Sequence, residues 1–252
     1  MSGGELRIFP DSAELYRAAA AEFVQHARAA VRARGSFTVA LSGGATPKRL
    51  YGLLATDAAL RDAVPWSEMH VFWGDERHVP PEHQDSNYRM ACETLLSKVP
   101  VAVGKVHRIH GENPDAAESA LDYELTLREV FKVPAPRMPR FDLILLGLGS
   151  DAHTASLFPH SPALNDSERL VVANWVAGLE TSRITLTASA INHAACVIFL
   201  VSGADKAGPL NAVLNGPYDP LALPAQAIHP LNGTLLWLAD AEASRAVQQP
   251  AH

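Results

Sequence analysis

The chain has 252 residues, 48% hydrophobic and 19% charged, ordinary values for a globular protein that exclude a disordered, collagen-like or disulfide-scaffold chain. Its 21 Lys and Arg against 27 Asp and Glu give a formal charge of −6. That balance argues against non-specific nucleic-acid binding, which needs a basic footprint, but leaves room for a small anionic ligand.

Helical and strand patterns alternate along the chain. Asp11 and Ser12 offer caps to a helix over 12–34, where Leu15, Ala18, Ala19, Phe23, Ala27, Ala30 and Val31 keep a helical spacing and Gly35 can end it. FTVAL at 37–41 predicts a strand, and Thr46-Pro47 opens a second helix with proline at its favoured first position. MHVFW at 69–73 predicts a strand. Helices follow from Ser86-Asn87-Tyr88 to Leu96 and over 114–131. FDLILL at 141–146 is nearly all apolar, as expected of a strand covered on both faces. Residues 183–186 and 197–201 read similarly, a helix follows at 206–214, and 235–238 closes the strand set. Strands alternating with helices predict an α/β protein: an open, mostly parallel sheet with helices on both faces. One domain over residues 1–252 is expected. The Pro-rich stretch 133–139 reads as a surface connection into the central strand or, less simply, as a domain boundary.

The two cysteines, Cys92 and Cys196, form no CxxC pair, so no structural zinc site is expected. Both sit in apolar settings and read as small buried hydrophobes in a reducing compartment. The N-terminus carries no leader-type pattern, and the longest apolar run, 194–201, is far short of a membrane span. A cytoplasmic protein with no membrane or nucleic-acid partner is the expectation.

Four segments fall at strand carboxyl ends, where open α/β sheets bind ligands. LSGGATP at 41–47 offers two glycines, the hydroxyls of Ser42 and Thr46, and a helix N-terminus. It reads as a phosphate cradle or as a tight turn capped by Thr46; Ser42 also stands in a near miss to a nucleophile elbow. GDERHVP at 74–80 reads on composition as a charged surface turn, although Arg77 could bind a phosphate bidentately. DSNY at 85–88 reads as a helix cap. GLGSDAHTASLFP at 147–159 turns tightly after its strand, and Asp151 beside His153 suits a general base. A polar loop and half of a metal site stay open there. In SGADKA at 202–207, Lys206 in a first helical turn opposes the helix dipole, which points to an anionic ligand.

Together LSGGATP, GDERHVP with DSNY, GLGSDAHTASLFP, RITLT at 183–187 and SGADKA resemble the glucosamine-6-phosphate isomerase/6-phosphogluconolactonase family, and the likeness runs from about residue 8 to about residue 245. GDER with DSNY and HTASLFP are similar to its lactonase branch. The resemblance implies a NagB/RpiA-like, Rossmann-type fold. It also implies hydrolysis of 6-phospho-D-glucono-1,5-lactone to 6-phospho-D-gluconate, the second step of the oxidative pentose phosphate pathway. No metal or organic cofactor is implied, and a monomer or small homo-oligomer is expected. By the resemblance His153 is the general base with Asp151 beside it. Arg77 and Lys206 are the phosphate- and substrate-binding cations, with Arg77 counted among the catalytic groups. Ser42, Gly43, Gly44 and Thr46 form the phosphate loop, and Asp75 is an acid of the site. Ala152 and His160 stand where that family commonly has glycine. A positive φ at Ala152 would be strained.

Overall fold

The computed structural model describes residues 4–247; the first three residues of the N-terminus lie outside them. In chain order the elements are β1 (Glu5–Phe9), α1 (Ser12–Arg34), β2 (Phe37–Leu41), α2 (Ala45–Thr56), α3 (Ala58–Ala63), β3 (Met69–Trp73), β4 (Asp75–Arg77), α4 (Asn87–Thr94) and α5 (Ala116–Phe131). They continue with β5 (Leu143–Gly147), β6 (Val171–Val176), β7 (Thr181–Leu186), α6 (Ala188–Ile191), β8 (Cys196–Val201), α7 (Ala207–Asn215), β9 (Thr234–Asp240) and α8 (Ala241–Ser244).

Six strands form one sheet in the order β1-β9-β8-β5-β2-β3, and every pairing in it is parallel. Leu143 to Leu146 and all of β8 are buried. Because successive side chains point to opposite faces, both faces of the sheet centre must be covered, as in α/β folds generally. The helices supply that cover. On α1, Leu15, Ala19, Phe23, Ala27 and Ala30 are buried. Asp11 caps the start, accepting from Glu14 N at 2.9 Å, and Gly35 ends the helix at φ 74°. The helix expected at 12–34 is thus present with both of its predicted signals.

A second, antiparallel sheet has the order β4-β7-β6. The segment 183–186, expected to resemble the buried parallel strands, belongs here instead: β7 pairs antiparallel with both β4 and β6. Only Ile184, Thr185 and Leu186 of its six residues are buried, since one part of this small sheet faces an open cleft. Helix α5 carries the buried residues Tyr123, Glu124 and Leu127 and ties the two sheets together. The Tyr123 hydroxyl donates to Trp73 O, and Trp73 N donates back to it. Glu124 accepts from Leu170 N just ahead of β6. Residues 133–139 form an irregular connection into β5, exposed at 134–137 and buried at Pro139. Cys196 is buried, whereas Cys92 is only partly buried, which corrects half of the sequence expectation. No helix among the described residues is long and apolar enough to cross a membrane.

Candidate active site

Strand order places the cleft. From β2 the chain moves outward to β3, but from β5 it moves the other way, to β8. The loops leaving β2 and β5 therefore part beyond the carboxyl ends of adjacent strands, the crevice where open α/β sheets take ligands. A cavity of about 460 Å³ opens there. The loop after β2 contributes Ser42, Gly43, Gly44 and Thr46; the second sheet contributes Asp75 and Arg77; the loop after β5 contributes His153; the turn after β8 contributes Lys206.

The β2 loop is held from behind. Ser42 N donates to the Tyr51 hydroxyl at 3.0 Å, and that hydroxyl donates to Ser42 O at 2.9 Å. A Cβ on Gly43 would lie 1.8 Å from Asn87 Oδ1, so only glycine lets the α4 asparagine pack there. Gly44 has φ 104°, a left-handed value that favours glycine. Helix α2 starts at Ala45 with Gly44 as N-cap and no side-chain capping bond. Thr46 is therefore not the cap expected from the sequence, and Pro47 is the third helical residue. Ala45, Thr46 and Pro47 of the first turn line the cavity and no acid stands among them, so the positive dipole end there is left uncompensated by the chain. The buried Ser42 Oγ has no hydrogen-bond partner. An unpaired buried hydroxyl costs about 1–3 kcal/mol, which a ligand acceptor at this spot would relieve.

The DER segment is not a surface turn. It is strand β4, which follows β3 in the chain and pairs antiparallel with β7, and Asp75 and Glu76 are buried. Strand alternation sends Asp75 and Arg77 to the cleft and Glu76 to the other face. Asp75 Oδ2 accepts from Ser156 Oγ at 2.6 Å, and its backbone carbonyl accepts from Asn87 Nδ2 at 3.0 Å. Arg77 Nη1 donates to Asp85 O at 2.8 Å, which fixes the guanidinium at the cleft edge. Glu76 accepts from the backbone N–H groups of Arg77, Asn87 and Tyr88 and from Ser86 Oγ. Burial pushes its carboxyl up, against those bonds. In DSNY the cap is Ser86, which accepts from Arg89 N, while Asn87 lines the cavity.

The β5 loop folds back on itself. Gly149 N donates to His153 O at 2.8 Å, and Ala152 N donates to Gly149 O at 3.1 Å. This turn brings His153 Nδ1 to 2.5 Å from Asp151 Oδ1, which also accepts from His153 N. Burial pushes the Asp151 carboxyl up, but the charge and hydrogen bonds of His153 outweigh it and hold it below the usual carboxylate range. An ionised Asp151 fixes the proton on Nδ1 and leaves Nε2 with the lone pair. The other side of the ring stacks on Phe158 at 4.3 Å between centroids. A Cβ on Gly149 would lie 2.1 Å from Nδ1, so glycine is needed for the ring to sit here. Ala152 and His160 have φ of 64° and 56°, the strained conformation that the sequence flagged.

Lys206 ends the one-turn 3-10 helix Ala204–Lys206 and occupies the N-cap position of α7. It does not lie inside the first turn, as expected, and its Nζ pairs with Asp205 at 2.9 Å. A second cavity of about 390 Å³ adjoins the first, sharing Asp75, Arg77 and His153 and adding Asp151, Phe158 and Arg183. Sequence reasoning missed Ser156, Asn87 and Arg183 as cleft residues. For Arg183 the signal is its register opposite Arg77, visible only once β4 is known to be a strand. Among the described residues no group of three or more His, Cys, Asp or Glu is placed to hold a metal ion.

The family model for glucosamine-6-phosphate isomerases/6-phosphogluconolactonase matches residues 10–237. The chain belongs to this glucosamine-6-phosphate isomerase/6-phosphogluconolactonase family. It is 46% identical over 214 residues to a 6-phosphogluconolactonase of Synechocystis sp., covering 85% of this chain and 86% of that one. A Nostoc sp. 6-phosphogluconolactonase is 41% identical over 238 residues, with 94% and 96% coverage. The solved 6-phosphogluconolactonase of Trypanosoma cruzi superposes with a TM-score of 0.83 at 29% identity, covering 97% of each chain. The segments at 41–47, 74–80, 147–159 and 202–207 lie within the matched range, and residues from each meet at one cleft of this family member.

Proposed function

We propose that this family member hydrolyses 6-phospho-D-glucono-1,5-lactone to 6-phospho-D-gluconate, a step of the oxidative pentose phosphate pathway, with His153 as general base. One observation carries the reading: an imidazole oriented by a carboxylate at 2.5 Å sits in a cleft with an anion-type loop and helix N-terminus at one end. The relatives described above carry the name of this activity.

A δ-lactone is an activated ester, so attack by water needs no covalent nucleophile. Asp151 holds Nδ1, and Nε2 takes a proton from water as its oxygen adds to C1. General-base assistance of this kind contributes about 10²–10⁴ in rate. The C1–O5 bond of the tetrahedral intermediate then breaks, O5 receives the proton from His153, and the new carboxylic acid releases its own proton to solvent. The 6-phosphate takes the Ser42–Thr46 loop, the α2 N-terminus and Lys206, so binding energy far from C1 holds the carbonyl at the base. Arg77 supplies positive charge beside the developing oxyanion, worth a few kcal/mol in such sites. Asp75, held by Ser156, anchors the His153 loop to β4.

An amino-sugar phosphate isomerase on the same fold is the alternative. It must move a proton between carbons and would turn over glucosamine 6-phosphate. The test supplies both substrates, generating the lactone in situ against a buffer control, because the lactone also hydrolyses unaided. Lactone loss well above buffer with no glucosamine 6-phosphate turnover is expected. The reverse pattern would overturn the assignment.

A further inference from the structure

The cleft has two ends, and the proposed reaction uses only one of them for binding. The first cavity holds the Ser42–Thr46 loop and Lys206; the second holds Arg183; His153, Asp75 and Arg77 line both. Arg77 on β4 pairs directly with Arg183 on β7. Side chains of residues paired in this way project from the same face of the sheet, here the face that Asp75 also uses. Two guanidinium groups thus stand side by side at a partly buried site.

Neither has a carboxylate partner. Arg77 donates to the carbonyl of Asp85, and Arg183 donates only to the carbonyl of its neighbour Ser182 at 3.3 Å. Among the described residues no ion pair includes either arginine. The acid on their face, Asp75, already accepts from Ser156. Burial, and then the charge of Arg77, lower the proton affinity of Arg183, as expected of a cation short of compensation. Like charges set opposite each other across strands oppose folding, and an anion between them would remove that opposition. Arginine is also the cation whose planar fork matches a carboxylate with two parallel bonds.

The lactone has its phosphate on C6 and its reacting carbonyl on C1, at opposite ends of the sugar. With the phosphate at the β2 loop and C1 at His153, the C1 oxygens reach toward the second cavity. We propose that Arg183, paired with Arg77 across β4 and β7, binds the carboxylate formed at C1 and the oxyanion that precedes it. This rests on the lactonase reading and adds a second anion subsite to it. Arg183 then acts on the C1 end alone and leaves phosphate binding untouched.

Two ligands separate the ends. 6-Phosphogluconate and D-glucitol 6-phosphate share the chain and the phosphate, and differ at C1 in a carboxylate against a CH2OH group. Calorimetric titration of the whole protein with each is compared among wild type, Arg183→Gln and Arg183→Lys. Wild type is expected to prefer 6-phosphogluconate. Arg183→Gln should cut that preference by roughly ten- to a hundredfold, the usual effect of a lost charge-assisted bond, with glucitol 6-phosphate affinity kept within about twofold. Arg183→Lys should keep part of the preference. The unfolding temperature of Arg183→Gln should not fall, because one of two facing like charges is gone. An unchanged preference in Arg183→Gln would overturn the subsite. So would an equal loss for both ligands with a lower unfolding temperature, which would make Arg183 structural. Wild type binding neither ligand would instead sink the sugar-phosphate reading on which the subsite rests.

Discussion

Three non-glycine residues of the His153 loop, Ala152, Ala155 and His160, hold positive φ. For an L-residue this costs about 1–2 kcal/mol, of which a glycine would give back part through its larger unfolded-state entropy. At Ala152 the buried methyl compensates, since only 1% of the residue is exposed. His160 is exposed and has no such compensation; its backbone N–H donates to Leu221 O, and a glycine would keep that bond. Replacing His160 with glycine should therefore stabilise the protein by about 0.5–1 kcal/mol, read as a higher urea midpoint with an unchanged slope. A lower midpoint would mean that the imidazole makes a contact that outweighs the strain. The Asp151–His153 pairing was legible because two residues so spaced can meet only in a turn, and glycines at 147 and 149 announce one. The unpaired Ser42 hydroxyl was not legible, because whether a buried hydroxyl finds a partner depends on which distant groups the fold brings to it.

Strand β4 and helix α4 are built around one carboxylate. Glu76 faces only donors: three backbone N–H groups and the Ser86 hydroxyl. It fixes the start of α4 and, through it, Asn87 against Gly43. A glutamine there must turn its NH2 toward an N–H group. Glu76→Gln should cost about 2 kcal/mol, the scale of a hydrogen bond to a charged acceptor lost in a buried place. Denaturant unfolding measures it, and a cost below about 0.5 kcal/mol would show that Glu76 does not organise this junction. Here the sequence misleads. Three consecutive charged residues contradict any strand propensity, and only pairing with β7 makes Asp75–Arg77 a strand. The long apolar or periodic elements were readable: α1, β2, β5 and β8 stand where expected, because their patterns match the period of the element. Strands β1 and β6 went unread; both sit at sheet edges, and their exposed and buried residues are mixed.

Across the whole molecule, the parallel sheet was inferable from strand–helix alternation, whereas the second sheet was not, since it gathers strands more than 90 residues apart in sequence. A loss of stability in acid is predicted from a histidine pair outside the cleft. His107 stacks on Phe72 at 4.6 Å and meets His70 Nδ1 at 3.1 Å. Burial, then the charge of His70, push His107 down to about 4; burial and Lys105 lower His70 as well. Burial thus favours the neutral form of both rings in the fold, whereas in the unfolded chain they take protons below about pH 6.5. A folded pKa below the unfolded value means that stability is full above that pH and falls as pH drops toward 4. Urea midpoints at pH 7 and pH 5 should therefore fall in wild type and fall less in His107→Gln. An equal fall in both would remove the histidine pair from the account.

The assignment of chemistry to the cleft rests on His153. The most direct test follows lactone disappearance for wild type, His153→Ala and buffer at one pH. A wild-type rate far above buffer, reduced about 10²–10⁴-fold in His153→Ala while 6-phosphogluconate still binds, is the predicted result. A variant that keeps the wild-type rate above buffer would contradict the general-base role and with it the mechanism argued for this cleft.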